Sequence, residues 1–226
     1  MAAARRINWL AISITAGVVV IVVAIAAVAV WMNRQALALA ESPGAAVVNE
    51  ETGAIAIGDG PNVLDEYVDF MCPFCGQYHD SFGETVSGLV EDGDVTLNIH
   101  PIAILDSRSQ GTQFSTRAAS AMYCVADDNP DAVYPFMDAL FANQPNENTA
   151  GLDNDEIIGY AKDAGASDAV ESCIEDVEYA DFVAARTQEI PANPSTGNVS
   201  TPTVVLNDEY LNLTMDPEVD LLPKLK

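Results

Sequence analysis

DEYVDFMCPFCGQYH, residues 65–79, sets two cysteines three positions apart, Cys72-Pro73-Phe74-Cys75, behind an apolar and aromatic run. A pair at this spacing serves as half of a metal site, as a structural staple or as a redox centre, and its flanks decide among them. Upstream, Val63 to Phe70 is short, β-branched and aromatic, and the turn formers Gly58-Asp59-Gly60-Pro61-Asn62 precede it, which predicts a strand. Downstream, Tyr78, Phe82, Val86, Leu89 and Val90 recur at spacings of three and four, the period of an amphipathic helix over 75–90. Val95, Leu97 and Ile99 then alternate with Thr96, Asn98 and His100, a second strand that Pro101 ends. The order is β-α-β, with a right-handed crossover.

Working outward, Ala54 to Ile57 offers a first edge strand, and folding begins near here. Residues 112–126, 130–143, 153–164, 167–174 and 177–189 are each apolar-periodic and predict helices, with Asp153 and Ser167 as N-caps and Gly165 after a helix end. Thr203 to Leu206 and Tyr210 to Leu213, joined by Asn207-Asp208-Glu209, predict an antiparallel pair, and Pro217 starts a last helix. The fold class is α/β: one sheet in a domain over 54–226, with a helical insertion at about 112–190.

Before the domain, residues 9–31 read WLAISITAGVVVIVVAIAAVAVW, without a charge, and a helix of that length spans roughly 30 Å of hydrocarbon. Arg5 and Arg6 precede it and only Arg34 follows closely, so residues 1–8 are expected in the cytoplasm and the domain outside the cell membrane, as a single-pass protein. The alternative is a cleaved signal peptide ending near Ala38-Leu39-Ala40, but such apolar cores run to about 7–15 residues. Residues 32–53 have no sustained period and suit a flexible tether. Beyond residue 40 lie all 34 acidic residues and six basic ones (Arg108, Arg117, Lys162, Arg186, Lys224 and Lys226), within a whole-chain net charge of −25. Nucleic acid and anionic headgroups are poor partners for such a surface.

Pro73 is tolerated in a first helical turn because its missing N–H would have no partner there. Cys72 then sits at the helix N-terminus, where the dipole and free amides favour a thiolate. It is the expected nucleophile, and Cys75, a turn further in, the resolving thiol. A CxxC staple constrains too little unfolded chain to stabilise much. A copper or zinc site would draw on Met71, Cys72, Cys75, His79 and His100, yet there is no second CxxC. Four cysteines permit three pairings, and adjacency prefers Cys72 with Cys75 and Cys124 with Cys173.

YVDFMCPFCGQYH, together with Ser200-Thr201-Pro202-Thr203-Val204-Val205-Leu206-Asn207, resembles the membrane-anchored, DsbA-like thiol-disulfide oxidoreductases of the thioredoxin superfamily. The likeness extends through AASAMYCVADDNPDAVYPFMDALFANQ and ESCIEDVEYADFVAARTQEI, roughly residues 55–215. It implies a thioredoxin-like fold with an inserted all-helical subdomain, and a protein thiol-disulfide oxidoreductase without cofactor or metal. It implies a cis peptide bond at Pro202 facing the CxxC, with Thr201 offering backbone groups to an extended substrate. Glu66 falls where the family places a buried acid, as proton acceptor for Cys75 through water; the alternative is an exposed strand carboxylate. Asp65 and Asp69 alternate to the face opposite Glu66. Cys124 and Cys173 match a second, structural disulfide of several relatives, with a second redox pair as the alternative.

Oxidase, reductase and isomerase share this chemistry, and the resemblance favours the oxidase. Pro73 and Phe74 tune the direction, and Phe74 brings no charge to Cys72. Expected partners are exported proteins with reduced cysteines and a membrane quinone-linked reoxidase. The short tether leaves no room for a dimerisation domain, so a monomer is expected. A copper chaperone using Cys72 and Cys75 is the reading from another class.

Overall fold

The computed structural model describes residues 18–28 and 42–226. Residues 18–28 form a helix, α1, with exposed side chains. It lies outside the unit Ala40–Lys226. Among the described residues no helix is long and apolar enough to cross a membrane, and most of the expected 9–31 span lies outside them.

The unit Ala40–Lys226 is built on a five-stranded sheet of β1 (Ile55–Ile57), β2 (Asn62–Val68), β3 (Val95–Pro101), β4 (Thr203–Leu206) and β5 (Glu209–Tyr210), in the order β1-β3-β2-β4-β5. Only β2 and β3 run parallel, joined by the crossover helix α2 (Pro73–Glu91); the other pairs are antiparallel. Leu64, Glu66 and Val68 are buried on one face of β2, while Val63, Asp65 and Tyr67 alternate to the other and are less covered. Register places Glu66 between Ile99 and Val204, and Tyr67 between His100 and Thr203. The ends of β2 and β4 that carry the CxxC and Pro202 are thereby brought side by side.

As expected, β3 ends at Pro101, which lies opposite Val68. It has no N–H to give, and the amide of Ile102 bonds the Val68 carbonyl instead, at 3.0 Å. The stretch from Asp69 to Phe70 lies outside β2, whose ladder stops at Val68.

Between β3 and β4 the chain forms α3 (Phe114–Asp128), α4 (Val133–Ala142), α5 (Asn154–Asp163), α6 (Val170–Glu175) and α7 (Ala180–Thr187). Helix α3 is buried over most of its surface, the mark of a helix at the centre of a bundle, and packs against α4, α5, α6 and α7. Its start moves to Phe114 because Gln113 takes a left-handed conformation, φ 53°. Asp153 caps α5 in a capping box with Glu156. Ser167 does not cap α6; its hydroxyl and amide bond the Asp128 carboxylate at 2.5 and 2.6 Å, and the helix begins three residues later. Cys124 of α3 and Cys173 of α6 are joined in a disulfide.

The strand expected over 210–213 contracts to Glu209–Tyr210. Asn207 and Asp208, at φ 51° and 68°, form a tight two-residue hairpin that pairs Leu206 with Glu209 at once. Helix α8 (Pro217–Asp220), capped by Asp216, is followed by a short 3-10 turn.

Candidate active site

Cys72 is the N-cap of α2, in extended conformation, and Pro73 opens the helix. The Cys72 amide donates to Asp69 O at 3.0 Å, while Cys72 O accepts from the amides of Cys75 (2.9 Å) and Gly76 (3.1 Å). The sulfur of Cys72 is thereby held over the amino end of a nineteen-residue helix. Both cysteines are buried thiols, so the pair is in its dithiol form. Phe74, between them, is 62% exposed.

The Thr201–Pro202 peptide bond is cis. It brings Thr201 against Cys72: the threonine hydroxyl donates to Sγ at 3.3 Å, and Sγ lies 3.6 Å from the Thr201 carbonyl oxygen. A thiol can use the carbonyl and a thiolate the hydroxyl, so the same residue serves both protonation states. The Cys72 pKa is lowered to about 6. The hydrogen bond with the Cys75 thiol is the largest cause; burial opposes it, and the Thr201 hydroxyl and backbone bonds at Cys75 and Phe74 add to it. Cys75 moves the other way, well above the ordinary thiol range, through burial and then its bond to Cys72. At neutral pH the charge rests on the outer sulfur and the proton on the inner one.

Glu66 is buried beneath the CxxC helix and accepts a 2.6 Å hydrogen bond from the Tyr78 hydroxyl. Burial raises its pKa from 4.5 to about 7, against the downward effects of the Tyr78 bond and of His79. A carboxyl near neutrality can take or give a proton at working pH. No hydrogen bond joins it directly to Cys75 among those of the described residues.

Two further residues hold the site. Asp69, expected opposite Glu66, lies past the end of β2, where alternation no longer applies, and is fully buried. Oδ1 accepts from the Met71 amide (2.8 Å) and the Ser115 hydroxyl (2.7 Å), Oδ2 from the amides of Ile104 (2.8 Å) and Leu105 (2.9 Å). Burial raises its pKa even against these four donors, and its charge raises that of Cys75. Gln144, just past α4, donates from Nε2 to the carbonyls of Phe70 (3.1 Å) and Cys72 (2.9 Å). The Asp69 signal in sequence is an acid three residues before the first cysteine; Gln144, seventy-two residues after Cys72, has none.

Beside the cis bond lies a groove of about 250 Å³ lined by Phe74, Ser200, Thr201, Pro202, Tyr210 and Leu213 among others.

Residues 50–219 match the family described as Thioredoxin. The chain belongs to the thioredoxin family. Within it, the chain is 33% identical to DsbA from Mycobacterium tuberculosis in its reduced form, with a TM-score of 0.63 over 71% of this chain and 85% of that one. It is 32% identical to the reduced disulfide bond oxidoreductase DsbG of the same organism, with a TM-score of 0.62 over 79% and 85% of the two chains. A segment of 137 residues, 59% of this chain, is 34% identical to the serine/threonine-protein kinase PknE of M. tuberculosis. The match covers 24% of that kinase, so the chain spans about a quarter of the relative's length.

This thioredoxin-family chain does not bring its candidate soft ligands together. His100 stacks on Tyr67 with ring centroids 4.0 Å apart, its Nε2 2.8 Å from Asp65, on the face of β2 opposite Glu66. His79 turns to Asp138 at 2.8 Å. Among the described residues no group of three or more His, Cys, Asp or Glu side chains is placed to hold a metal ion.

Proposed function

We propose that the enzyme oxidises exported proteins, anchored in the cell membrane by residues 9–31 with its N-terminus in the cytoplasm and its thioredoxin domain outside. The observation that carries the direction of exchange is the setting of Cys72. A thiolate stabilised by a helix end, a thiol and a threonine hydroxyl stabilises the reduced form, and a pair with a stabilised reduced form is oxidising. In the forward reaction a substrate thiolate attacks Sγ of Cys72 in the 72–75 disulfide. Cys75 leaves as a thiolate and takes a proton, for which Glu66 is the donor through water. A second substrate thiolate attacks the substrate sulfur of the mixed disulfide, and Cys72 departs as a stable thiolate. The substrate leaves oxidised by two electrons and the enzyme is left as the dithiol.

The recognised substrate is an extended polypeptide laid along the Thr201–Pro202 edge, where proline has no N–H to compete. Phe74, Ile104 and Val199 are exposed apolar side chains, suited to unfolded chains. A membrane quinone-linked oxidase would return the dithiol to the disulfide.

The reduction potential of the Cys72–Cys75 pair tests the direction. A value well above the roughly −270 mV of thioredoxin supports the oxidase, and one at or below it makes the protein a reductase. Copper titration tests the binding-module alternative: reduced protein that binds copper tightly through Cys72 and Cys75, yet oxidises no reduced peptide, would remove this proposal.

The role of Glu66 has its own test. A carboxyl whose folded pKa, about 7, exceeds its ordinary 4.5 contributes stability fully present below pH 4.5 and lost as pH rises through 7. The loss amounts to about 3 kcal/mol at most. Glu66→Gln is therefore expected to be more stable than the parent at pH 8, with the advantage vanishing at pH 5, and to slow the step that involves Cys75. Denaturant titration at the two pH values checks the first, and single-turnover decay of a mixed disulfide the second. Unchanged decay would eliminate Glu66 as the proton carrier.

A further inference from the structure

Among the described residues, two side chains of the helical insertion hydrogen-bond to the turn that carries Cys72. Ser115 of α3 does so through Asp69, and Gln144 does so directly. The Gln144 amide nitrogen bridges two carbonyls, Phe70 O and Cys72 O, that flank the nucleophile in the chain. With it, Cys72 O has three donors, the others being the amides of Cys75 and Gly76. A carbonyl oxygen carries negative partial charge, and this one belongs to the nucleophile's own residue; each donor that engages it reduces what the Cys72 thiolate faces. Gly76 makes the approach possible. A Cβ at that position would overlap Gln144 Oε1, so the glycine lets the amide lie across the first turn of α2.

We propose that Gln144 is a positioning residue for the redox centre: it fixes the Phe70–Cys72 turn and draws charge from its carbonyls, so that the helical insertion sets the potential of a thiol pair borne by the thioredoxin core. The consequence for catalysis rests on the thiol-disulfide exchange proposed above, but the effect on the thiolate does not.

The experiment uses the full chain and four variants: Gln144→Ala, Gln144→Glu, Gly76→Ala and the Gly76→Ala/Gln144→Ala double. Thiolate absorbance of the reduced protein is followed against pH, and the disulfide equilibrium is measured in glutathione buffers. Gln144→Ala is expected to raise the pH at which Cys72 ionises and to make the pair less oxidising by about tenfold in the glutathione equilibrium, about 30 mV. Gln144→Glu, which cannot donate and adds negative charge, should move both further. Gly76→Ala places a Cβ against the Gln144 amide, so a merely structural role for Gln144 would change stability and leave the potential unmoved. It should instead reproduce the shift by expelling the Gln144 side chain, and the double variant should go no further than Gln144→Ala alone. Folded Gln144→Ala and Gln144→Glu proteins with parental thiolate titration and glutathione equilibrium would overturn the proposal, whatever their melting temperatures. A parent that fails to exchange with glutathione would sink the oxidase reading, while the titration would still decide the role of Gln144.

Discussion

Replacing Cys72 by serine is expected to reduce disulfide transfer to the uncatalysed rate, whereas replacing Cys75 by serine is expected to trap a covalent adduct on Cys72. The two sulfurs differ in every property that exchange uses. Cys72 borders the cis-Thr201–Pro202 edge, receives the Thr201 hydroxyl at 3.3 Å and ionises near pH 6. Cys75 is fully buried and held as a thiol. A serine at 72 leaves no thiolate that a substrate can meet, because the inner sulfur neither ionises nor reaches solvent. A serine at 75 leaves the outer nucleophile intact, but the mixed disulfide then has no internal thiol to resolve it. Mass spectrometry of the protein mixed with an oxidised peptide reads both outcomes. Catalytic exchange persisting in Cys72→Ser, or an adduct mapping to Cys75, would reverse the assignment.

The second large effect concerns stability. Removing the Cys124–Cys173 bridge as Cys124→Ser/Cys173→Ser is expected to cost about 3–4 kcal/mol, on the loop-entropy account of a bridge with a sequence separation of 49. For a domain of this size that lowers Tm by roughly 10 °C. The bond ties the central helix α3 to α6, a helix of six residues. So short a helix contributes little stability of its own. Calorimetry of the oxidised and doubly substituted proteins gives the difference. Turnover at a temperature where both are folded separates the two readings of the pair: a structural bridge leaves it unchanged, and an electron relay would not.

The CxxC helix and the parallel pair of β2 and β3 were legible because their signals are local: apolar spacing, a proline in the first turn, and a run of alternation. The five insertion helices were legible in outline, and the N-cap at Asp153 to the residue. Boundaries failed where a residue found a distant partner, as Ser167 did in Asp128, or where a tight turn brought pairing forward, as at Asn207-Asp208. The cis bond at Pro202 came from family resemblance, since both isomers of an X–Pro bond lie close in energy. Asp69 was read only through the alternation of β2, which ends one residue before it, so its burial was not legible. Gln144 was invisible: its role depends on where α4 ends in space, and no pattern near it encodes that.

The four donors on Asp69 come from three separate parts of the chain: the turn before the nucleophile, the loop leaving β3, and the start of α3. A nascent domain with strands paired but the insertion still undocked would bury this carboxylate without its full set, a state that is costly in free energy. The turn that carries Cys72 is thus completed only when all three of these parts have come together.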